Sequence, residues 1–429
     1  MLKKNLIFCL LLLVGPGLAG QNPRYLIELT NKDIPENLYS LNQPEQFLSE
    51  KAIQRREAQN IDYNYTDLPI PPVYIDSLKS TGVIIQNKTK WLNAIVGELD
   101  SSQIEQLKDV SFVKNITFLA PPRDESKQSN INFGTKTAAS PPVELAENKS
   151  DSAFYGYSAN QIMMLYGHIL HKNGYKGQGK TIAVLDAGFY YVDKLPAFDS
   201  LRANNQILGT KDFEDNDKDV YRDHSHGAHV LSIMAANIPN VLYGSAPKAD
   251  YWLLRTEVSS SEYLIEEYNW IAGAEFADSV GADIINSSLG YSTFNDNSQS
   301  HSYEDMNGST APVTRGASIA ASKGILVVVS AGNEGNDNWH YITAPADADS
   351  ILSIGAVNYQ GNYSAYSSTG PTADGRIKPD VAAQGSGTAF QYSDSSIVGG
   401  SGTSLSAPII TGLSACLWQK ETHKNNLEI

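Results

Sequence analysis

The chain has 429 residues, of which 41% are hydrophobic and 18% are charged, and its formal net charge is −15. This composition is typical of a globular protein and leaves room for two or three domains. The negative charge argues against nucleic acid as a partner, because no basic surface is available to contact phosphates.

The start of the chain predicts a secretory signal peptide. A lysine pair precedes a short apolar run at residues 6–14, and small residues follow at 17–20. The run is shorter than the ~20 apolar residues of a membrane-spanning helix, and no later stretch is long enough either. We therefore expect a protein without a membrane span that is secreted, or retained at the cell surface. Since Cys9 would leave with the signal, we expect Cys416 to be an unpaired, buried and inert thiol.

Residues 21–120 predict a small α+β unit. Strand-like and helix-prone segments follow one another in an order close to β-α-β-β-α-β, that of a ferredoxin-like domain. The segments lie at residues 24–29, 47–60, 83–86, 91–99, 101–107 and 110–119. In the second helix Ser102 and Glu105 have capping-box spacing. Residues 121–150 are polar and marked by prolines, which indicates an exposed linker where proteolysis concentrates.

From residue 151 short apolar strands alternate with helices. Strands are expected at residues 181–185, 251–254, 283–286, 325–330 and 351–357, and helices at 226–236, 262–280, 315–323 and 405–420. Such alternation predicts an α/β domain with a doubly wound, mostly parallel sheet and helices on both faces. In sheets of this kind the active groups lie beyond the carboxyl ends of the strands.

Two segments supply an acid and an imidazole at such positions. Asp186 ends a buried strand, so its carboxylate would be held rigidly and could orient an imidazole; a cap on the next turn is the plainer alternative. His226 opens a helix, and Gly227 leaves room beside its ring. Alternatively, His224, His226 and His229 could bind a metal, although the helix lacks the glutamate of a zincin.

Two further segments supply an amide and a hydroxyl. Asn333 follows an apolar strand in a glycine-rich turn, and its amide could donate to a developing oxyanion; an ordinary asparagine turn is the alternative. Ser404 lies at the mouth of a helix, where its backbone N–H is unpaired and can face an oxyanion. Pro408 cannot donate to the carbonyl of Ser404, so the first turn is loosened. An N-cap would explain the hydroxyl but not the neighbouring glycines and proline.

Together these residues provide a nucleophile, a base and a group that fixes the base. The chain order Asp186, His226, Ser404 differs from the orders of the α/β-hydrolase and chymotrypsin types. On these motifs, residues 178–419 resemble the subtilisin-like serine peptidases (subtilases, peptidase family S8) of the secreted bacterial type.

The resemblance implies a serine endopeptidase that cleaves proteins and peptides through an acyl-enzyme. Asp186 would orient the imidazole, His226 would be the general base, Ser404 the nucleophile and Asn333 the side-chain oxyanion donor. The resemblance also assigns substrate binding to a strand and a pocket wall. These comprise Ser288, Leu289, Gly290, Ala331 and Gly332.

A domain organisation follows from the same resemblance. Residues 1–20 would be a signal peptide and residues 21–120 a propeptide that assists folding and acts as an intramolecular inhibitor. Residues 121–150 would contain the processing region, and residues 151–429 the catalytic domain. We expect a monomer that requires no cofactor. Few residues follow Ser404, so we also expect the sequence to be a fragment that lacks the family's closing segment.

Some features depart from the commonest family pattern or remain open. Ala187 stands where Ser or Thr is more usual, and Ala228 stands where Thr is more usual. Leu405 and Ser406 replace the more usual Met and Ala. The acidic loop at 212–219 could bind a structural calcium ion, but the absence of an EF-hand-type glycine favours a solvated loop. For the whole chain, a non-catalytic scaffold is the other alternative, and the complete set of motifs argues against it.

Overall fold

Two sheets organise the molecule, as the computed structural model of residues 22–123, 137–138 and 149–429 shows. The predicted signal peptide and most of the predicted linker lie outside these described residues. Among the described helices, none combines the length and apolar character that crossing a membrane demands.

The N-terminal domain, residues 22–123, has four strands and three α-helices. They are β1 (Arg24–Leu29), α1 (Glu50–Ala58), α2 (Pro72–Ser80), β2 (Ile84–Thr89), β3 (Ala94–Glu98), α3 (Ser101–Leu107) and β4 (Val113–Ala120). The sheet order is β2-β3-β1-β4, and each neighbouring pair is antiparallel. The predicted ferredoxin-like order is thus confirmed, with α2 added. The cap of α3 was predicted wrongly, because Asp100 and Gln103 form the capping box instead of Ser102 and Glu105.

Both faces of this small sheet are buried. Ile27 and Ile95 pack under α2 and α3, whereas Leu26 and Val96, their neighbours along each strand, belong to the core of the C-terminal domain. Because successive side chains of a strand point to opposite faces, the N-terminal sheet is held between its own helices and the larger domain.

The C-terminal domain, residues 149–429, contains seven parallel strands in the order β14-β13-β12-β11-β6-β10-β7. These are β6 (Thr181–Asp186), β7 (Ile207–Asp212), β10 (Asp250–Arg255), β11 (Ile284–Ser287), β12 (Leu326–Ser330), β13 (Leu352–Val357) and β14 (Val381–Gln384). The five inner strands match the predicted apolar runs. The edge strands β7 and β14 were missed because edge positions are half-exposed and lack a continuous apolar run.

Helices cover both faces of this sheet. The longer ones are α8 (His226–Ala235), α9 (Ile265–Ser279), α10 (Pro312–Ser322) and α11 (Thr403–Lys420). On one face α9 and α10 pack against Ala183 and Leu185 of β6. On the other, α8 and α11 pack against Ile182 and Val184 of the same strand. The predicted doubly wound architecture is therefore confirmed.

Shorter elements complete the chain. They are β5 (Thr137–Ala138), α4 (Lys149–Tyr155), α5 (Ala159–Met163), α6 (Gly167–Lys172), α7 (Asp199–Ala203), β8 (Asn237–Ile238), β9 (Leu242–Tyr243), β15 (Ser386–Gln391) and β16 (Ile397–Ser401). Strands β15, β16 and β5 form a separate antiparallel sheet. In α11 the thiol of Cys416 is buried, and burial raises its pKa, as expected for an inert cysteine.

Candidate active site

The carboxyl ends of the central strands bring the predicted residues to one edge of the sheet. Asp186 is the last residue of β6, and Ser288 directly follows the neighbouring strand β11. Asn333 lies shortly after β12, the next strand along. The helix α8 begins at His226, and α11 begins at Thr403, the residue before Ser404. The two helices pack side by side. The polar groups therefore meet where a doubly wound fold places its ligands.

Asp186 and His226 are in direct contact. The Asp186 carboxylate is 0% exposed, and its Oδ1 lies 2.7 Å from Nδ1 of His226. The same oxygen accepts the backbone N–H of Ala187 over 2.8 Å. This carboxylate fixes the tautomer with hydrogen on Nδ1, so that Nε2 carries the lone pair of a general base.

Gly227 permits this contact. A Cβ added to Gly227 would lie 2.5 Å from the carbonyl oxygen of Gly188 and 3.0 Å from Cβ of Asp186. Any larger residue would push α8 away from β6 and lengthen the carboxylate–imidazole contact. The glycine thus allows the start of α8 to lie against the end of β6.

The histidines do not assemble a metal site. Nδ1 of His224 accepts the backbone N–H of His226 over 3.1 Å, while the His226 ring faces Asp186. The His229 ring lies against Phe390 and Tyr392, with centroid separations of 4.6 and 5.3 Å, and burial lowers the pKa of His229 to about 3. Among the described residues, these three histidines form no group with ligand atoms close enough for one ion.

Asn333 and Ser404 are linked through Thr403. Oδ1 of Asn333 accepts the backbone N–H of Thr403 over 2.8 Å and its hydroxyl over 3.1 Å. The Thr403 hydroxyl also donates to the carbonyl of Gly332 over 3.1 Å. Because the amide oxygen is engaged in this way, the NH₂ group of Asn333 is the end left to donate elsewhere. Sequence reasoning missed Thr403, whose role depends on a contact across the fold.

The first turn of α11 is also tied to β11. Ser288 donates its hydroxyl to the backbone carbonyl of Ser404 over 2.9 Å. In an uninterrupted helix, that carbonyl would accept from the residue four positions later, but Pro408 has no N–H. The predicted loosening at Pro408 is therefore compensated by a residue of the predicted substrate strand.

The remaining predicted substrate residues lie on two neighbouring segments. Leu289 and Ala331 are buried, whereas Gly290 is exposed. A Cβ at Gly290 would lie 2.2 Å from Oγ1 of Thr343, and one at Gly332, where φ is +109°, would lie 2.4 Å from a carboxylate oxygen of Glu334. The positive φ makes glycine the favoured residue at 332, whereas a side chain at 290 would require Thr343 to move.

A half-buried carboxyl group adjoins this wall. Glu334 accepts the hydroxyl of Ser368 over 2.8 Å. Burial raises the pKa of Glu334 above its ordinary value, and the Ser368 hydrogen bond opposes that shift. The pocket wall beside Gly332 is thus polar.

Two more carboxyl groups lie beneath the segment that follows β10. Glu266 accepts the backbone N–H groups of Val258 and Tyr263 over 2.7 and 3.2 Å. Glu257 accepts the hydroxyl of Tyr291 over 2.7 Å. Burial raises the pKa of Glu257 to about 8 and that of Glu266 well above its ordinary range. Sequence patterns gave no signal for these two glutamates, because their raised pKa values depend on burial in the folded chain.

The acidic groups of the loop are paired with an arginine of β10. Asp212, Asp215 and Asp223 bring carboxylate oxygens within 4.8 Å of one another, a spacing that suits a cation. However, Nη1 of Arg255 lies 2.7, 2.8 and 3.3 Å from these three carboxylates. A guanidinium therefore stands where calcium would bind, and the residues do not fit a calcium site in this state.

Comparisons with known proteins agree with this geometry. Residues 177–429 match the model of the subtilase family, and residues 24–133 match a peptidase S8 propeptide domain of Bacteroidota. The chain is 28% identical over 362 residues to subtilisin E of Bacillus subtilis (strain 168), covering 82% of this chain and 78% of that protein. It is 31% identical over 268 residues to subtilisin of Bacillus pumilus, covering 61% and 84%.

The alignment with a third relative covers a smaller share of both proteins. The serine protease AprX of Bacillus subtilis (strain 168) is 30% identical over 275 residues, or 57% of this chain and 58% of that protein. The subtilase family model alone covers more than half of the chain. The chain therefore belongs to the subtilase family and is a subtilisin-like serine-type endopeptidase with a propeptide.

Proposed function

We propose that the chain is a secreted zymogen that hydrolyses peptide bonds through the triad Asp186, His226 and Ser404. The observation that carries this proposal is the 2.7 Å contact between Asp186 Oδ1 and His226 Nδ1 at the edge where Ser404 lies in the first turn of α11. His226 takes the proton of the Ser404 hydroxyl as that oxygen attacks the substrate carbonyl. His226 then gives this proton to the leaving amine, the C–N bond breaks and an acyl-enzyme remains. His226 next takes a proton from water as the water attacks the acyl carbonyl, and returns it to the Ser404 oxygen as the ester bond breaks.

The oxyanion is stabilised by two donors. One is the NH₂ group of Asn333, whose amide oxygen is engaged by Thr403. The other is the backbone N–H of Ser404 in the first turn of α11, where the helix dipole favours negative charge. The segment 288–290 pairs with the substrate backbone, and Ala331 and Gly332 form a wall of the pocket for the residue before the scissile bond. No metal or cofactor takes part in these steps.

The N-terminal domain acts as the inhibitor of its own catalytic domain. Its turn between β2 and β3 is held by Glu275 of α9, which accepts the Thr89 hydroxyl over 2.5 Å and the Trp91 N–H over 2.9 Å. At the end of α9, Asp278 accepts from Arg55 over 2.5 Å and from Arg56 over 2.9 Å. These buried contacts support a propeptide that stays docked until it is cleaved within 121–150 and degraded.

Labelling of the nucleophile tests the proposal. A fluorophosphonate reacts with activated serine hydroxyls, so the matured protein is expected to gain one adduct, located on Ser404 by peptide mass spectrometry. The folded Ser404→Ala variant should gain none, and Ser322→Ala, which changes an exposed serine of α10, should label like the wild type. A folded wild type that takes no label, or a label on another serine, would instead favour the non-catalytic scaffold.

A further inference from the structure

The acidic corner beside the active site, formed by Asp212, Glu214, Asp215 and Asp223, is held by arginines from two sources. Arg255 of the catalytic domain contacts the three aspartates. Glu214, whose side chain is 3% exposed, is contacted by the propeptide residues Arg24 and Arg123, over 2.5 and 3.1 Å. Cations from the propeptide therefore neutralise part of the corner in the zymogen.

The guanidinium of Arg123 binds to acidic and carbonyl oxygens of this corner. Its Nε lies 3.1 Å from Oε1 of Glu214, its Nη1 donates to Asp215 over 3.0 Å, and its Nη2 donates to the Glu214 carbonyl. Its side chain is 23% exposed. Residues 121–123 share a cavity of about 310 Å³ with the segment 258–261 that follows β10. Residues 121–123 thus face that segment across the cavity, and Arg123 inserts its guanidinium into the corner.

The departure of the propeptide would change this charge balance. Glu214 would lose both arginines, and its remaining contact among the described residues is the amide of Asn269, at 3.1 Å. Asp215 would lose Arg123 and keep Arg255 and the more distant Arg222. The four carboxylates of the corner would then share the arginines of the catalytic domain, Arg255 and Arg222, and this excess of negative charge favours a new positive partner.

We propose, on the basis of the proposed peptidase function, that the acidic corner is a substrate subsite for an arginine side chain in the mature enzyme. In register, Arg255 of β10 lies beside both Asp186 of β6 and Asp212 of β7. Two strand spacings amount to about 10 Å, which an extended substrate covers in about three residues. Since Arg123 lies at the start of the expected processing region, the arginine belongs about three to five residues before the scissile bond.

The test compares arginine with citrulline, an uncharged isostere. Peptides that are otherwise identical carry one or the other at the third, fourth or fifth position before the cleaved bond, and kcat/KM is measured on the matured protein. The arginine peptide is expected to be cleaved about tenfold faster or more at one position, the usual worth of a charge-assisted hydrogen bond. The ratio should fall as salt is raised.

Variants assign the effect to the corner. The double variant Glu214→Gln with Asp215→Asn is expected to bring the arginine-to-citrulline ratio close to one. The control Asp349→Asn changes an exposed aspartate that contacts Arg376 and does not border the cavity, and should keep the wild-type ratio. Equal cleavage of both peptides at all positions by active enzyme would show that Arg123 is only a propeptide anchor. Failure to cleave either peptide or to take the serine label would overturn the proposed function, and this inference with it.

Discussion

The hydroxyl of Ser288 donates a 2.9 Å hydrogen bond to the backbone carbonyl of Ser404. It replaces the helical hydrogen bond that Pro408 cannot make. One contact thus connects the predicted substrate strand with the turn that carries the nucleophile, and the position of Ser404 depends on a side chain far away in the sequence.

Replacing Ser288 by alanine should therefore weaken both folding and catalysis. The Ser404 carbonyl would lose its donor, which costs about 1–3 kcal/mol of unfolding free energy when the group is buried. We expect kcat/KM to fall as well, because the first turn of α11 becomes less well fixed. Chemical denaturation and peptide hydrolysis measure the two effects. Ser322→Ala, which removes an exposed hydroxyl bonded within its own helix to Ile319, should leave both unchanged; an equally small effect of Ser288→Ala would refute the connection.

Asn333 and Thr403 should differ in how strongly they affect the rate. Asn333→Ala removes the proposed oxyanion donor and should lower kcat by roughly 10²–10³-fold with little change in KM. Thr403→Val keeps the backbone N–H to Asn333 but removes the hydroxyl, so a smaller loss of kcat is expected. Asn362→Ala, at an exposed turn, is the control. Loss confined to KM in Asn333→Ala would contradict the assignment.

The buried ion pair between Arg56 and Asp278 should stabilise the zymogen. Both side chains are 0% exposed, and removal of Arg56 leaves Asp278 with Arg55 but without charge-assisted hydrogen bonds worth about 1.5–3 kcal/mol. Arg56→Met, made in the Ser404→Ala background to prevent self-cleavage, should lower the unfolding free energy by about that amount. Lys108→Met breaks the exposed pair with Glu105 and should change it by less than about 1 kcal/mol. Equal effects of the two changes would show that the buried pair does not hold the domains together.

The pH dependence of stability should reveal the buried carboxyl of Glu257. Burial is the main cause that raises its pKa to about 8, the charge of Glu262 adds to it, and the Tyr291 hydrogen bond opposes it. In the unfolded chain Glu257 ionises near its ordinary value of 4.5, so between that pH and about 8 the folded state holds the extra proton. Stability contributed by this group therefore falls as the pH rises through that interval and is constant above it.

Glu257→Gln should remove this contribution while keeping an oxygen that accepts from Tyr291. Unfolding free energies measured near both ends of that interval should therefore differ less in the variant than in the wild type. Glu105→Gln, on an exposed helix of the propeptide, should keep the wild-type difference. An unchanged difference in Glu257→Gln would mean that Glu257 is not protonated in the folded state.

The sequence predicted those parts of the molecule that depend on local patterns. Apolar runs located β6 and β11. The acid at the end of β6 made Asp186 a candidate, whereas Ser288 was a candidate only through the family resemblance. The half-exposed strand β7 gave no such run, although it supplies Asp212 of the acidic corner. Contacts made across the fold were equally hidden, as with the hydrogen bonds from Thr403 to Asn333. Their cause is tertiary packing, for which a single sequence contains no periodic signal.

Self-processing tests the central claim most directly. The chain without its predicted signal peptide is prepared as the wild type and as Ser404→Ala, and intact mass is followed over time. The account predicts that the wild type releases a fragment ending within 121–150, whereas the folded Ser404→Ala protein stays whole. If Ser404→Ala is cut at the same place and rate, or if neither folded protein is cut, Ser404 is not the nucleophile that matures this zymogen.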